Sequence, residues 1–245
     1  MPDAVVIAST LTAALFACVF LVGGHIHPLR ILTRDPRSGI SFGAGISTAY
    51  VFVHVMPELH AARTSFAEMA STPLPYEGMA IYYMALIGFL AFYGLDHLRR
   101  PVQETKSAAE AEWSFRVHIG GFAAYVGLAT YLISNSDQKT IESIALYAVA
   151  LAFHFLTVDH SLRVEYGNAY ERFGRFLLAA MCVVGITAGI LFPLPGSLTA
   201  VALAFLSGAI IVNSAISELS SQKSGHFGWF AAGALLYGLI LIPLG

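Results

Sequence analysis

Apolar positions along the chain gather into runs of about twenty, each closed by a short cluster of Pro, Gly or charge such as 35–39 (Asp-Pro-Arg-Ser-Gly) or 192–196 (Phe-Pro-Leu-Pro-Gly). A helix rising about 1.5 Å per residue needs about 20 mostly apolar residues to cross a hydrocarbon core of about 30 Å. Eight runs meet that length: 4–24, 39–60, 78–97, 114–134, 142–162, 173–192, 197–219 and 227–244. They predict an all-α, polytopic membrane protein of eight transmembrane helices. No connection is long enough for a separate soluble domain, so residues 1–245 read as one transmembrane domain. The longest polar connection, 99–113, is rich in Ala, Glu and Lys and is expected to extend the fourth helix by a turn or two.

Composition agrees with the pattern. Of the 245 residues 57% are hydrophobic and 11% charged, against roughly 25% charged in soluble proteins, which fixes the lipid bilayer as the first partner. Cys18 and Cys182 lie within apolar runs and offer no disulfide framework or Cys-rich metal motif. A net charge of -2 lacks the concentrated basic face that a nucleic-acid partner requires. The opening Met-Pro-Asp-Ala has no basic n-region of a cleaved signal, so the first apolar run is expected to be retained.

Charge then orients the helices, because Lys and Arg are held on the cytoplasmic side. The connections after the first, third, fifth and seventh helices, with their borders, hold eleven of the thirteen basic residues; Arg63 and Lys139 alone fall on the other side. Both termini are therefore expected to be non-cytoplasmic, in a multi-pass protein of the cell membrane.

Ionisable groups inside the spans are costly and usually mark a site or a pathway. His154 stands about 12 Å from the cytosolic end of the fifth helix, with Asp159 and His160 near its mouth. His118 on the fourth helix and Glu218 on the seventh come to the same side, while His54 and Glu58 stand at the outer end of the second. The pairs His54/His60 and His154/His160 are six residues and about 240° apart, so neither pair shares a helix face. A metal site must recruit ligands from separate helices, with His118 and His154 at its centre. The ordinary explanation of a lone membrane His is a hydrogen bond to a neighbouring helix; for His60, Asp96, His97 and Glu218 it is interfacial water. Asn213 and Ser214, midway along the seventh helix, are expected to bond across helices or to line a cavity facing the fifth.

The second helix, Ser-Phe-Gly-Ala-Gly-Ile-Ser-Thr-Ala-Tyr-Val-Phe-Val-His-Val-Met-Pro-Glu-Leu, resembles the small-residue second helix of ZIP (Zrt/Irt-like) divalent-metal transporters, which ends in His-x-x-Pro-Glu. The matching residues are His54, Pro57 and Glu58. The seventh, Leu-Ser-Gly-Ala-Ile-Ile-Val-Asn-Ser-Ala-Ile-Ser-Glu-Leu, is similar to that family's Gly-initiated helix ending in an acid, here Glu218. The third, ending Phe-Tyr-Gly-Leu-Asp-His, looks like its counterpart too. The resemblance implies a 3+2+3 bundle in which the first and last three helices form an inverted repeat around the fourth and fifth. In the family those two central helices each carry a His followed four residues later by an acid and then Gly. Here Phe122 with Ala123, and Val158, occupy those places, and Asp159 comes one residue late. The family's His-rich loop is also absent, since 99–113 contains no His.

The function this implies is transport of a divalent metal ion, Zn first, by rocking one bundle against the other, with no organic cofactor, no ATP motif and no enzymatic activity. His118 and His154 would be the core ligands, Asp159, His160 and Glu218 the cytosolic exit, and His54 with Glu58 the outer side. A dication in hydrocarbon needs carboxylates to neutralise it, so the missing acids are expected to weaken binding unless Asp159 or Glu218 swings into the gap. Two other readings stand beside this one: a non-transporting ZIP-fold scaffold or sensor, and a zinc-dependent intramembrane hydrolase, which would need three His ligands and an open fourth position. A homodimer is left open.

Overall fold

The computed structural model describes residues 2–24, 36–60, 63, 77–98, 107–135, 140–219 and 226–244. Among them every regular element is helical: α1 (Pro2–Val22), α2 (Pro36–Tyr50, continuing through a π turn at Val51–Val55 to His60), α3 (Ala80–His97), α4 (Ala108–Asn135), α5 (Ile141–Ala169), α6 (Arg175–Leu191), α7 (Gly196–Leu219) and α8 (Phe227–Leu241). Six stretches are long and apolar enough to cross a membrane, and one of these, the 51-residue Ile141–Leu191, contains both α5 and α6. The last helix, α8, is apolar but only 15 residues long. The chain is a multi-pass, all-helical membrane protein.

Local chemistry explains the ends and the breaks. Thr140 starts α5 by accepting from the Ser143 N–H at 3.1 Å while its own N–H donates back to Ser143 Oγ at 3.2 Å, a reciprocal N-terminal cap. α5 runs to Ala169, past the expected end at 162, and the chain turns at Gly167. That residue has φ 47 and ψ -117, a conformation open to glycine and costly for other residues. The π turn in α2 precedes Pro57, which has no N–H to donate to the carbonyl of Val53; Met56 N–H instead reaches back to Val51 O. The sequence pattern did not foretell this turn. α4 begins at Ala108 rather than 114, so part of the polar 99–113 connection joins the helix as expected.

Contacts between helices give their directions. Along α5, residues 154 and 147 meet Tyr125 and Ala129 of α4, so these two run antiparallel. α2 also opposes α5, with Ser47 reaching Ala150 O and Tyr50 packing on Tyr147. α4 and α6 run parallel, Gly127 and Asn135 meeting Met181 and Gly189. Odd-numbered helices thus run one way and even-numbered helices the other. Arg116, Arg163, Arg172 and Arg175 fall at one end of the bundle, and Arg63 at the other.

Two helix pairs are packed in the same way. A methyl group at Gly45 of α2 would strike Phe230 O and Ala234 N of α8, and one at Gly233 of α8 would strike Phe42 O. On the other side of the bundle, a methyl at Gly208 of α7 would strike Ala85 O and Phe89 N of α3, and one at Gly88 of α3 would strike Phe205 O. Phe42 precedes Gly45 by three residues and Phe205 precedes Gly208 by three; Ala85 and Phe89 flank Gly88 as Phe230 and Ala234 flank Gly233. Small residues let helix backbones approach this closely, and dispersion then holds them. The correspondence matches α2 with α7 and α8 with α3 in opposite directions through the membrane.

Between these pairs lies one continuous core, rich in aromatic rings. Phe16 meets Phe155 edge-on at 4.9 Å, Phe155 meets Tyr125 at 6.2 Å, and Tyr125 meets Phe92 at 5.0 Å. This packing positions α5 at the centre, in contact with α1, α2, α4 and α7.

Candidate functional site

A cavity of about 100 Å³ opens among α3, α4, α5 and α7, toward the end of the bundle that carries the four arginines. His118 and His154 both line it, so the two histidines singled out from the sequence come together across α4 and α5. On α5 the polar lining continues as Thr157, Ser161 and Glu165, which with His154 form one stripe at three- and four-residue spacing. Asp96 enters from α3 and Asn213 from α7; Phe92, Phe122 and Val158 supply apolar wall.

Both imidazoles are buried and engaged. His154, 1% exposed, shares a hydrogen bond of 2.7 Å between its Nε2 and the Tyr125 hydroxyl, and its Nδ1 lies 3.5 Å from Ser214 Oγ. His118 Nδ1 shares a short hydrogen bond with the Tyr166 hydroxyl and lies 3.7 Å from Glu165 Oε1. The two tyrosines, one per histidine, orient the rings as a hydrogen-bonded carboxylate or hydroxyl orients a metal-ligating His. Asn213 Nδ2 is buried with no hydrogen-bond partner among the described residues. Among the described residues no three of His, Cys, Asp and Glu converge closely enough to hold a metal ion by themselves.

Asp159 is not brought to this cavity. Its carboxylate, 2% exposed, accepts from Arg163 Nη2 at 3.0 Å on each oxygen and from the Tyr170 hydroxyl at 2.7 Å. Arg163 also pairs with Glu171, which lies 3.4 Å from Arg175, and Arg175 donates to Leu21 O at 3.4 Å. This charged cluster ties the end of α1 to the bend between α5 and α6. The cause is angular: one residue past Val158 is about 100° around the helix, which turns Asp159 from the cavity toward α1. A methyl at Gly23, just past the end of α1, would stand 2.7 Å from Asp159 Oδ2.

The other expected ligands are dispersed. His160 is exposed on α5. His54 is half-buried in the π turn of α2, stacks on Tyr50 at 5.2 Å and is not among the residues that line the cavity. Glu58 is half-buried one turn beyond it. Glu218 falls in the last turn of α7, and its side chain lies outside the described residues. Glu165 and Asp96 are the acids that the sequence pattern did not assign to the site. Glu165 lay beyond the expected end of the fifth helix, and Asp96 stood where interfacial water is the usual partner. The 154-157-161-165 spacing was the available signal, once the helix is carried past 162.

No protein-family model matches the chain, and no curated protein matches it at a significant level.

Proposed function

We propose that the chain moves a divalent cation across the membrane by alternating access in a ZIP-like 3+2+3 bundle, with eight spanning helices and both termini outside the cytoplasm. The observation that carries this reading is the meeting of His118 and His154, from two antiparallel helices, in one polar cavity at the arginine-bearing end. Buried ionisable groups at that depth are expensive and are kept where an ion or proton passes. The matched packing of α2 on α8 and α7 on α3 supports the repeat, and repeats of this kind let one bundle rock against the other around a central site. A run of aromatic contacts from Tyr50 through Tyr147 and Phe16 to Phe155 is consistent with a barrier on the side opposite the cavity.

Purified protein in liposomes loaded with a metal-sensitive dye tests it. Zn, Mn, Fe, Co and Cd are supplied outside, and at least one should enter faster than into protein-free liposomes, with His118→Ala and His154→Ala each removing that flux. No flux of any of the five overturns transport. A second reading, a ZIP-fold scaffold or sensor that transports nothing, is favoured by one observation: the ring nitrogens of His154 are engaged by Tyr125 and Ser214. Absent flux together with full stability of both variants would select it.

A further inference from the structure

The charged cluster between α5 and α6 does not balance. Asp159 is held by Arg163, and Glu171 is shared by Arg163 and Arg175. Arg172 stands beside them as an exposed cation with no ion pair among the described residues. Three guanidiniums, of Arg163, Arg172 and Arg175, thus meet two carboxylates, and the surplus positive charge is that of Arg172.

The side chains of α6 show what that charge faces. Phe176, Val183 and Ile190 are exposed at seven-residue steps, and Val184 and Leu191 beside them at the same step, so one face of this membrane-spanning stretch meets lipid. Arg172 and Phe173, both exposed, stand four and three residues before Phe176, at the head of that face. The Arg175 guanidinium lies over the Phe176 ring at 4.7 Å and donates to Leu21 O at the end of α1, where Leu21 and Val22 are exposed too. We propose that this surface holds an anionic phospholipid, with its phosphate on Arg172 and its acyl chains along the exposed faces of α6 and α1.

Each part of the surface answers one part of that ligand. A guanidinium meets a phosphate through two parallel N–H donors, and basic residues at the ends of membrane helices are where lipid headgroups are recognised. Arg172 has no protein carboxylate to release before it binds, and the neighbouring carboxylate of Glu171 is already engaged by two arginines. The exposed Phe173 and Phe176 rings stand next to Arg172 on the lipid side, where they pack against the upper part of an acyl chain. A zwitterionic headgroup brings its own cation to a surface that already carries one too many, so the anionic lipid is the one favoured. At the same end of the bundle Arg116 is also exposed, but Glu112 holds it at 2.6 Å, and its charge calls for no lipid.

The inference does not depend on what the cavity carries, and lipid binding tests it directly. Native mass spectrometry of the full chain in detergent compares dioleoyl phosphatidylglycerol with dioleoyl phosphatidylcholine on wild type, Arg172→Gln and Arg116→Gln. Wild type should favour the anionic lipid, and Arg172→Gln should weaken that lipid's binding about fivefold while leaving phosphatidylcholine unchanged, the effect of one basic residue at a charged membrane surface. Arg116→Gln should bind both lipids as wild type does. Because Arg172 is exposed and makes no ion pair among the described residues, Arg172→Gln should also melt as wild type does. Equal binding of the two lipids by wild type overturns the proposal, as does an Arg172→Gln variant that keeps the preference. An equal loss in Arg116→Gln overturns it too, since the attraction would then belong to the whole end of the bundle rather than to this surface. Glycerol phosphate, the soluble headgroup fragment, separates lipid from free anion: it should bind far more weakly than phosphatidylglycerol, and equal affinity would contradict a site that uses the acyl chains.

Discussion

At Asp159 the carboxylate accepts three hydrogen bonds from Arg163 and one from Tyr170, while Arg163 stacks over the Tyr170 ring at 5.4 Å. A buried ion pair contributes modestly as a whole but is costly to break from one side, because the remaining charge is left without compensation. Arg163→Met is therefore expected to destabilise the protein by about 3–5 kcal/mol, and adding Asp159→Asn to it should restore much of the loss. Thermal unfolding of the single and double variants in detergent reads both. A double variant no more stable than Arg163→Met alone would show that the cluster acts through something other than charge pairing. The same residue shows what a sequence can convey about orientation: its offset from Val158 already implied that it leaves the face of His154.

Among the elements, α5 determines how much of the site was legible. Its apolar run ends at 162, but the helix continues to Ala169 because the reversal is set by Gly167, with its positive φ, rather than by loss of hydropathy. Glu165 and Tyr166 thereby gain a helical register and reach His118. His118 and His154 were legible because an imidazole in an apolar run needs a partner; the tyrosines that provide it sit on other helices or later turns, where spacing alone does not point to them. The paired contacts of α2 with α8 and α7 with α3 also carry a prediction. Gly45→Val and Gly208→Val each drive a side chain into partner backbone that has no rotamer to change, so each is expected to cost at least about 1–3 kcal/mol, and by similar amounts. Unequal losses, one large and one near zero, would break the correspondence between the two halves. Chemical unfolding in mixed micelles gives the comparison.

For the molecule as a whole, length and hydropathy sufficed for the helical class and for most of the helix positions. They did not reveal the π turn before Pro57, the joining of α5 to α6 in one 51-residue apolar stretch, or the cavity, which depends on how four helices meet. What emerges is a bundle with its fixed charge cluster on one side of α5 and a polar cavity on another. The cluster binds α1 to the α5–α6 bend, and the cavity is lined by the two buried histidines. The central claim is that a divalent cation occupies this cavity, and anomalous scattering tests it most directly. Crystals of the full chain soaked in Mn2+, with data collected at a wavelength where Mn scatters anomalously, should give a peak in the cavity beside His118 and His154. A peak confined to the Asp159–Arg163 side of α5, or a cavity without one at saturating Mn2+, would contradict it.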